Sequence, residues 1–211
     1  IHFHVDGVQS VGTFEKPLIH KRVDLMSFSA HKFNGPRGIG ILYKKQNRVI
    51  SHLLDGGGQE MGQRSTTENL AGIVATAKAL RMALTEAKEV KAKENAMQEK
   101  LRAFLAQHTD VVQVFSPEDA APHVLCFALK GVRGEVMVHA LEEEDIIVST
   151  TSACSSRAVN NTSSTLGAMK VDSVWAKQAI RVSFGKENTM AEVDRFIEVY
   201  SQLMRKFERI Q

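Results

Sequence analysis

A chain of 211 residues, 43% hydrophobic and 24% charged, has ordinary globular composition; it excludes a disordered or fibrous protein and suffices for one large or two small cores. A formal net charge of +3, without basic blocks interleaved with aromatics, argues against direct nucleic-acid binding but allows acidic or phosphorylated small ligands. Two cysteines, Cys126 and Cys154, with no leader-like segment and no apolar run of membrane-spanning length, predict a reduced cytoplasmic setting with free thiols and no membrane partner. Ile1 opens inside a strand pattern without a methionine, so the sequence is expected to be a piece of a longer polypeptide.

In chain order, Ile1 to Val5 alternates as a strand that ends at Asp6, which puts His2, His4 and Asp6 on one face. That spacing is compatible with a metallohydrolase site, but such a site needs further ligands on later strand ends. None recurs in a comparable pattern. Packed histidines beside one functional carboxylate, with no metal, are the expected case. Val23 to Ala30 and Gly38 to Lys44 read as the next strands, joined by the turn Asn34-Gly35-Pro36-Arg37. Arg48 to Leu54 continues as a strand or extended segment into Asp55-Gly56-Gly57-Gly58-Gln59-Glu60, where three glycines allow close backbone approach.

Ser65 and Glu68 have capping-box spacing, and Leu70, Ile73, Val74, Ala77, Leu80 and Leu84 predict a long helix starting near Glu68. The mixed charges from Lys88 to Glu94 read as a solvated face, with a break possible near Lys88, before Met97, Leu101, Phe104 and Leu105 resume the apolar stripe. An α+β unit follows. Its expected strands are Val111 to Phe115, Val124 to Leu129, Asp145 to Val148 and Ala179 to Phe184. Its expected helices are Gly134 to Glu144, Leu166 to Met169, Ser173 to Gln178 and Met190 to Ile210. The division predicted is 1–67 as one domain, 68–109 as a linking helix and 110–211 as a second, smaller domain.

Two side chains carry candidate chemistry. Lys32 follows Ser29 and His31 where an apolar run, Asp24 to Ala30, breaks into a glycine-rich turn. A lysine that is desolvated or crowded by another cation is a nucleophile toward carbonyls, and otherwise a solvated strand end. Cys126, in Val-Leu-Cys-Phe-Ala, reads as a small buried hydrophobe. Cys154 sits instead among small and hydroxylated residues, Ser149 to Ser156, the setting expected of an accessible, nucleophilic thiol.

With Asp6, Ser29, His31, Lys32 and Cys154 together, the sequence resembles the cysteine desulfurases of the NifS and IscS type, within the class V aminotransferase, fold-type I pyridoxal-phosphate enzymes. Four segments carry the likeness. They are His4-Val5-Asp6-Gly7-Val8-Gln9-Ser10-Val11-Gly12; Ser27 to Lys32 with Gly35-Pro36-Arg37-Gly38; Gly56 to Thr67; and Ser152-Ala153-Cys154-Ser155 followed by Ile180-Arg181-Val182-Ser183-Phe184-Gly185. The resemblance implies an α/β fold: the C-terminal half of a large cofactor-binding domain with a mostly parallel sheet, a long linking helix, and a small α+β domain carrying the cysteine loop.

The same resemblance implies the site. Lys32 would hold pyridoxal phosphate as an internal Schiff base and then act as acid and base. Asp6 would pair with the pyridinium nitrogen, Gln9 with the phenolic oxygen, and Ser29 and His31 with the phosphate. Thr67 would reach the phosphate of the partner subunit in a homodimer, and Arg181 would clamp the substrate carboxylate. Cys154 would take sulfur from L-cysteine as a persulfide, release alanine, and pass the sulfur to an iron–sulfur scaffold or tRNA-thiolation enzyme. The long stretch from Cys154 to Arg181 resembles the long-loop subgroup. Ser65-Thr66-Thr67 stands where Ser-Gly-Thr is commoner, and the family's ring-stacking histidine precedes the segment seen here. A selenocysteine lyase, another class V lyase or aminotransferase, and a catalytically silent docking fragment are the alternatives.

Overall fold

Period-two alternation in three short segments between residues 4 and 44 builds the first sheet. β1 (His4–Asp6) runs parallel to β2 (Leu25–Ser29), and β2 runs antiparallel to β3 (Gly40–Lys44), in the order β1-β2-β3. Because strand side chains alternate, Val5, Met26, Phe28, Ile41 and Tyr43 face a core with Val11, Val23, Ala30 and Phe33. His4, Asp6, Ser27 and Ser29 occupy the opposite face. The computed structural model describes residues 1–13, 17–151 and 164–209, which divide into two compact units, Ile1–Lys91 and Ala92–Gln211.

Asp24 ties the start of the first unit together. Its carboxylate accepts from Phe3 N–H at 2.9 Å and from Arg48 Nε at 2.7 Å, while its own N–H donates to Phe3 O. β2 and β3 are shorter than the sequence predicts, because the chain turns at Ala30 and re-enters the sheet only at Gly40. The expected strand from Arg48 to Leu54 does not form; that segment is irregular, and Val49 and Leu53 are exposed.

α1 (Leu70–Leu105) is a single helix of 36 residues. Its cap is Asn69, whose Oδ1 accepts from Gly72 N–H at 3.0 Å, and not Ser65, whose hydroxyl donates to Gly57 O. The expected interruption near Lys88 is absent: Lys, Glu and Ala are strong helix formers, and no glycine or proline interrupts this charged stretch. Ala79, Leu80 and Ala83 pack on the first core.

The second unit is an antiparallel sheet, order β4-β5-β7-β6, built from β4 (Val112–Val114), β5 (Val124–Leu129), β6 (Ser149–Thr150) and β7 (Ala179–Ser183). Leu125, Phe127, Ile180 and Val182 on one face meet Met97, Leu101 and Leu105 of α1, Met137 and Leu141 of α2 (Gly134–Glu142), and the apolar side of α5 (Met190–Glu208). Each fully buried side chain of this size contributes about 1.5–3 kcal/mol. The other face carries a smaller cluster, in which Cys126 and Ala128 pack with Leu166 of α3 (Ser164–Ala168) and Trp175 and Ala176 of α4 (Ser173–Gln178).

Strand pairing begins later than the expected Asp145 to Val148. After α2, Ile146 N–H returns to Leu141 O and Asp145 takes φ 60°, so these residues complete the helix exit and the strand starts at Ser149. α5 opens with the reciprocal pair its sequence offers, Glu192 N–H to Thr189 Oγ1 and Thr189 N–H to the Glu192 carboxylate. Among the described residues no helix is long and apolar enough to cross a membrane.

Candidate active site

Asp6 and Ser29 are the last residues of the parallel strands β1 and β2, and both stand on the sheet face away from the core. The carboxyl ends of parallel strands are where open α/β sheets bind ligands, because the chain there turns into loops whose donors are not used by the sheet. Asp6 Oδ1 accepts from Val8 N–H at 3.0 Å, which fixes the carboxylate at the strand exit. The turn that follows is held by Ser10 Oγ and N–H on Gly7 O, and it carries Gln9 exposed on its outside.

Immediately after β2 the chain makes one 3₁₀ turn, Ala30–Phe33. Ala30 and Phe33 are buried and anchor that turn, which leaves His31 and Lys32 exposed at the same sheet edge. The turn closes tightly. Asn34 takes φ 62°, and Gly35 N–H donates to Ala30 O at 2.8 Å, where a Cβ on residue 35 would lie 2.9 Å from that oxygen. The desolvated neighbourhood expected for Lys32 is not found: the buried side chains of the turn are its neighbours, and the lysine points outward. Among the described residues no side-chain hydrogen bond or ion pair engages Ser29, His31 or Lys32.

These groups suit a phosphorylated pyridine aldehyde. An acceptor-only carboxylate matches a protonated ring nitrogen, an uncommitted hydroxyl and imidazole match a phosphate, and an amine matches an aldehyde. Thr67 is exposed, in the segment after buried Ser65, and it follows Thr66, which is held at φ 91°. Arg64 Nη1 donates to Ser65 O at 3.0 Å and also to Thr66 Oγ1.

In the second unit Arg181 lies at the centre of β7, opposite Cys126 on β5 and Ser149 on β6. Its Nε is buried and meets no acceptor, and among the described residues it has no carboxylate partner. A half-buried guanidinium with an unmatched donor suits an incoming carboxylate. Burial pushes the Cys126 thiol up to about 11, although the Arg181 charge pulls it down. Cys154 lies outside the described residues.

Of the early histidines, His2 is exposed and His4 Nε2 is bonded to Ser27 Oγ at 2.7 Å. No group of three or more metal-ligating side chains stands together among the described residues. The His4–Ser27 bond was not anticipated from sequence. It follows from the β1–β2 register, which no local pattern encodes.

The class-V aminotransferase family profile matches residues 1–196. A "NifS/IcsS protein homolog" of Lactobacillus delbrueckii subsp. bulgaricus is 51% identical, over all of this chain and 55% of its own length. The "cysteine desulfurase IscS" of Clostridium botulinum is 34% identical over 98% of the chain and 52% of its own length. Among solved structures, a NifS-like protein superposes with a TM-score of 0.81 at 34% identity, over 100% of this chain and 53% of its own. A NifS-like protein from Rickettsia africae gives 0.80 at 27% identity, over 95% of this chain and 53% of its own. The chain spans about half the length of these relatives.

Proposed function

The chain belongs to the class-V aminotransferase family, whose profile covers it from residue 1 to 196, and from that premise we propose that it serves a pyridoxal-phosphate-dependent cysteine desulfurase. The observation that carries this is the gathering of Asp6, Ser29, His31 and Lys32, uncommitted to one another, at the carboxyl edge of one parallel strand pair.

Bound pyridoxal phosphate supplies an electron sink for the substrate carbon. Asp6 keeps a proton on the ring nitrogen, Gln9 donates its amide to the phenolic oxygen, and Ser29 and His31 donate to the phosphate. Lys32 Nζ anchors the aldehyde and afterwards takes and returns protons at the substrate carbon. Arg181 grips the carboxylate of L-cysteine with two parallel N–H donors. Cys154 Sγ attacks the substrate sulfur: an S–S bond forms on Cys154 as the substrate Cβ–S bond breaks, and the carbon left behind takes a proton to become L-alanine. The Cys154 persulfide then passes its outer sulfur to an acceptor for iron–sulfur cluster or thio-tRNA synthesis. Thr67 serves the phosphate site of a second subunit in a homodimer.

The test is alanine formation from L-cysteine with pyridoxal phosphate, compared with Lys32→Ala and Cys154→Ala. Both variants are expected to lose turnover, and Cys154→Ala is expected to retain the cofactor. Undiminished alanine formation in Cys154→Ala would remove the proposed nucleophile.

A further inference from the structure

The β6–β7 ladder ends one rung early. Cys126 directs its carbonyl to Phe115 N–H and its N–H to Ser116 Oγ, both on the β4 side, so Leu125 and Phe127 turn their backbone groups to β7. On β7 the residues facing β5 are then Ile180 and Val182, and Phe184 N–H continues that series to His123 O. Arg181 and Ser183 therefore face β6. Arg181 pairs with Ser149, but the pairing stops there, and Ile147, the residue that the register sets opposite Ser183, is not joined to it. Among the described residues Ile147 makes no hydrogen bond.

The segment 146–148 is nonetheless strand-like in its side chains. Ile146 and Val148 pack on the main core of the second unit, while Ile147 between them is 78% exposed. This segment and the end of β7 flank a cavity of about 420 Å³, lined by Leu101, Val193 and Phe196 and bordered by Glu144, Asp145 and Glu192. Arg195 is the one cation in its lining, and it is paired with Glu144 at 2.9 Å. Glu192 is engaged by Thr189 at the start of α5. Asp145 and the adjacent Glu143 have no cationic partner among the described residues.

We propose that this groove docks an extended segment of a partner protein in which apolar residues alternate with lysine or arginine. The form of the occupant follows from the open rung. Unused N–H and C=O groups of an extended backbone are matched by another extended backbone, because a helix has already used its own internally. Its apolar side chains have Leu101, Val193 and Phe196 to meet. Its charge follows from Asp145 and Glu143, since an acidic segment would lie against carboxylates that no cation offsets. The groove lies wholly within the second unit, and its occupation needs neither cofactor nor turnover.

The probe is the acetylated, amidated peptide Lys-Val-Lys-Val-Lys, titrated into the unsubstituted chain and followed by amide NMR. Saturable shifts at Ile147, Val148 and Ser183, slower hydrogen exchange at Ile147 and a Kd below about 1 mM are expected. The same peptide with its three central amides N-methylated cannot donate to the open rung, and is expected to bind at least about 5-fold more weakly, the size of one net hydrogen bond. Glu-Val-Glu-Val-Glu is expected to be weaker by at least as much. Asp145→Asn keeps a residue type that tolerates φ 60° and removes the charge, and is expected to weaken the lysine peptide about 2- to 5-fold. Absence of saturable binding, equal binding of the N-methylated or the glutamate peptide, or an unchanged Kd in Asp145→Asn each overturns the proposal. A second copy of the chain is the competing occupant. Sedimentation in which both the lysine peptide and Ile147→Pro split a self-associated chain would assign the groove to self-association and overturn the proposal as well.

Discussion

Cys126 and Arg181 stand opposite each other across the β5–β7 pair, and the thiol is held neutral while the guanidinium has no counter-charge among the described residues. Under the proposed function Arg181 holds the substrate carboxylate, and a fixed carboxylate at position 126 would compete with it for the same donors. Cys126→Asp is therefore expected to raise KM for L-cysteine by about 10- to 100-fold with kcat largely kept, the range for one charge-assisted pair. Cys126→Ala should leave KM within about twofold, since it adds no acceptor. Equal KM values for the Asp and Ala variants would show that residue 126 does not govern the charge at Arg181.

Glu94, on the α1 portion in the second unit, is 5% exposed, and burial pushes its carboxyl up to about 7 from 4.5. Between those two values the folded chain keeps a proton that the unfolded chain has released. Stability must then decline as pH rises through the window from about 4.5 to 7, by on the order of 3 kcal/mol in all, and stay level on either side as far as this group is concerned. Glu94→Gln is expected to flatten that decline and to be the more stable protein at pH 8. Urea midpoints between pH 4 and 8 measure it, and parallel pH profiles for the two proteins would dismiss Glu94 as the cause.

The Asp24 carboxyl is shifted in the other direction. The Phe3 N–H and then the Arg48 guanidinium hold it below the ordinary carboxylate range. Its contribution is complete above the unfolded value of 3.8 and disappears as pH falls through the lowered folded value. Asp24→Asn is expected to lose stability near neutral pH and to show less acid sensitivity below pH 4. Hydrogen exchange at the Phe3 and Asp24 amides, just ahead of β1 and β2, would register the change where these two residues exchange bonds.

What could be read from the sequence divides along the range of the interactions. Val124–Leu129 and Ser173–Gln178 were legible to the residue, since a buried apolar run and a local cap specify them. Asp6, Ser29, His31 and Lys32 could be singled out by residue type and order, and the structure brings them to one edge. The exposure of Lys32 was not legible: it depends on Ala30 and Phe33 facing the core, a property of one 3₁₀ turn that the strand pattern hid. The cap at Asn69 was missed because Ser65 and Glu68 matched the motif better, although the Ser65 hydroxyl is engaged by Gly57 O. The pairings His4–Ser27 and Cys126–Arg181 are products of register between distant segments, and no window of local sequence contains them.

Thr66 joins a departure in sequence to a cost in structure. It holds φ 91°, a left-handed backbone that a β-branched L-residue adopts only under strain, at the position where the resembled family more commonly has glycine. The conformation costs a non-glycine residue about 1–2 kcal/mol, and glycine avoids that cost. Against this, glycine loses about 0.5–1 kcal/mol through its freer unfolded chain, and the exposed bond from Arg64 to the Thr66 hydroxyl disappears with the side chain. Thr66→Gly is thus expected to be stabilising by at most about 1 kcal/mol, while Thr66→Ala, which keeps the strain and loses the bond, is expected to be less stable than either. The order Gly, then Thr, then Ala in urea midpoint is the measurable outcome, and an alanine variant more stable than glycine would mean that residue 66 carries no left-handed strain. The same pair bears on Thr67: if relaxed backbone at 66 presents the neighbouring hydroxyl better, Thr66→Gly should also tighten pyridoxal phosphate binding, and in a Thr67→Ala background that gain should vanish.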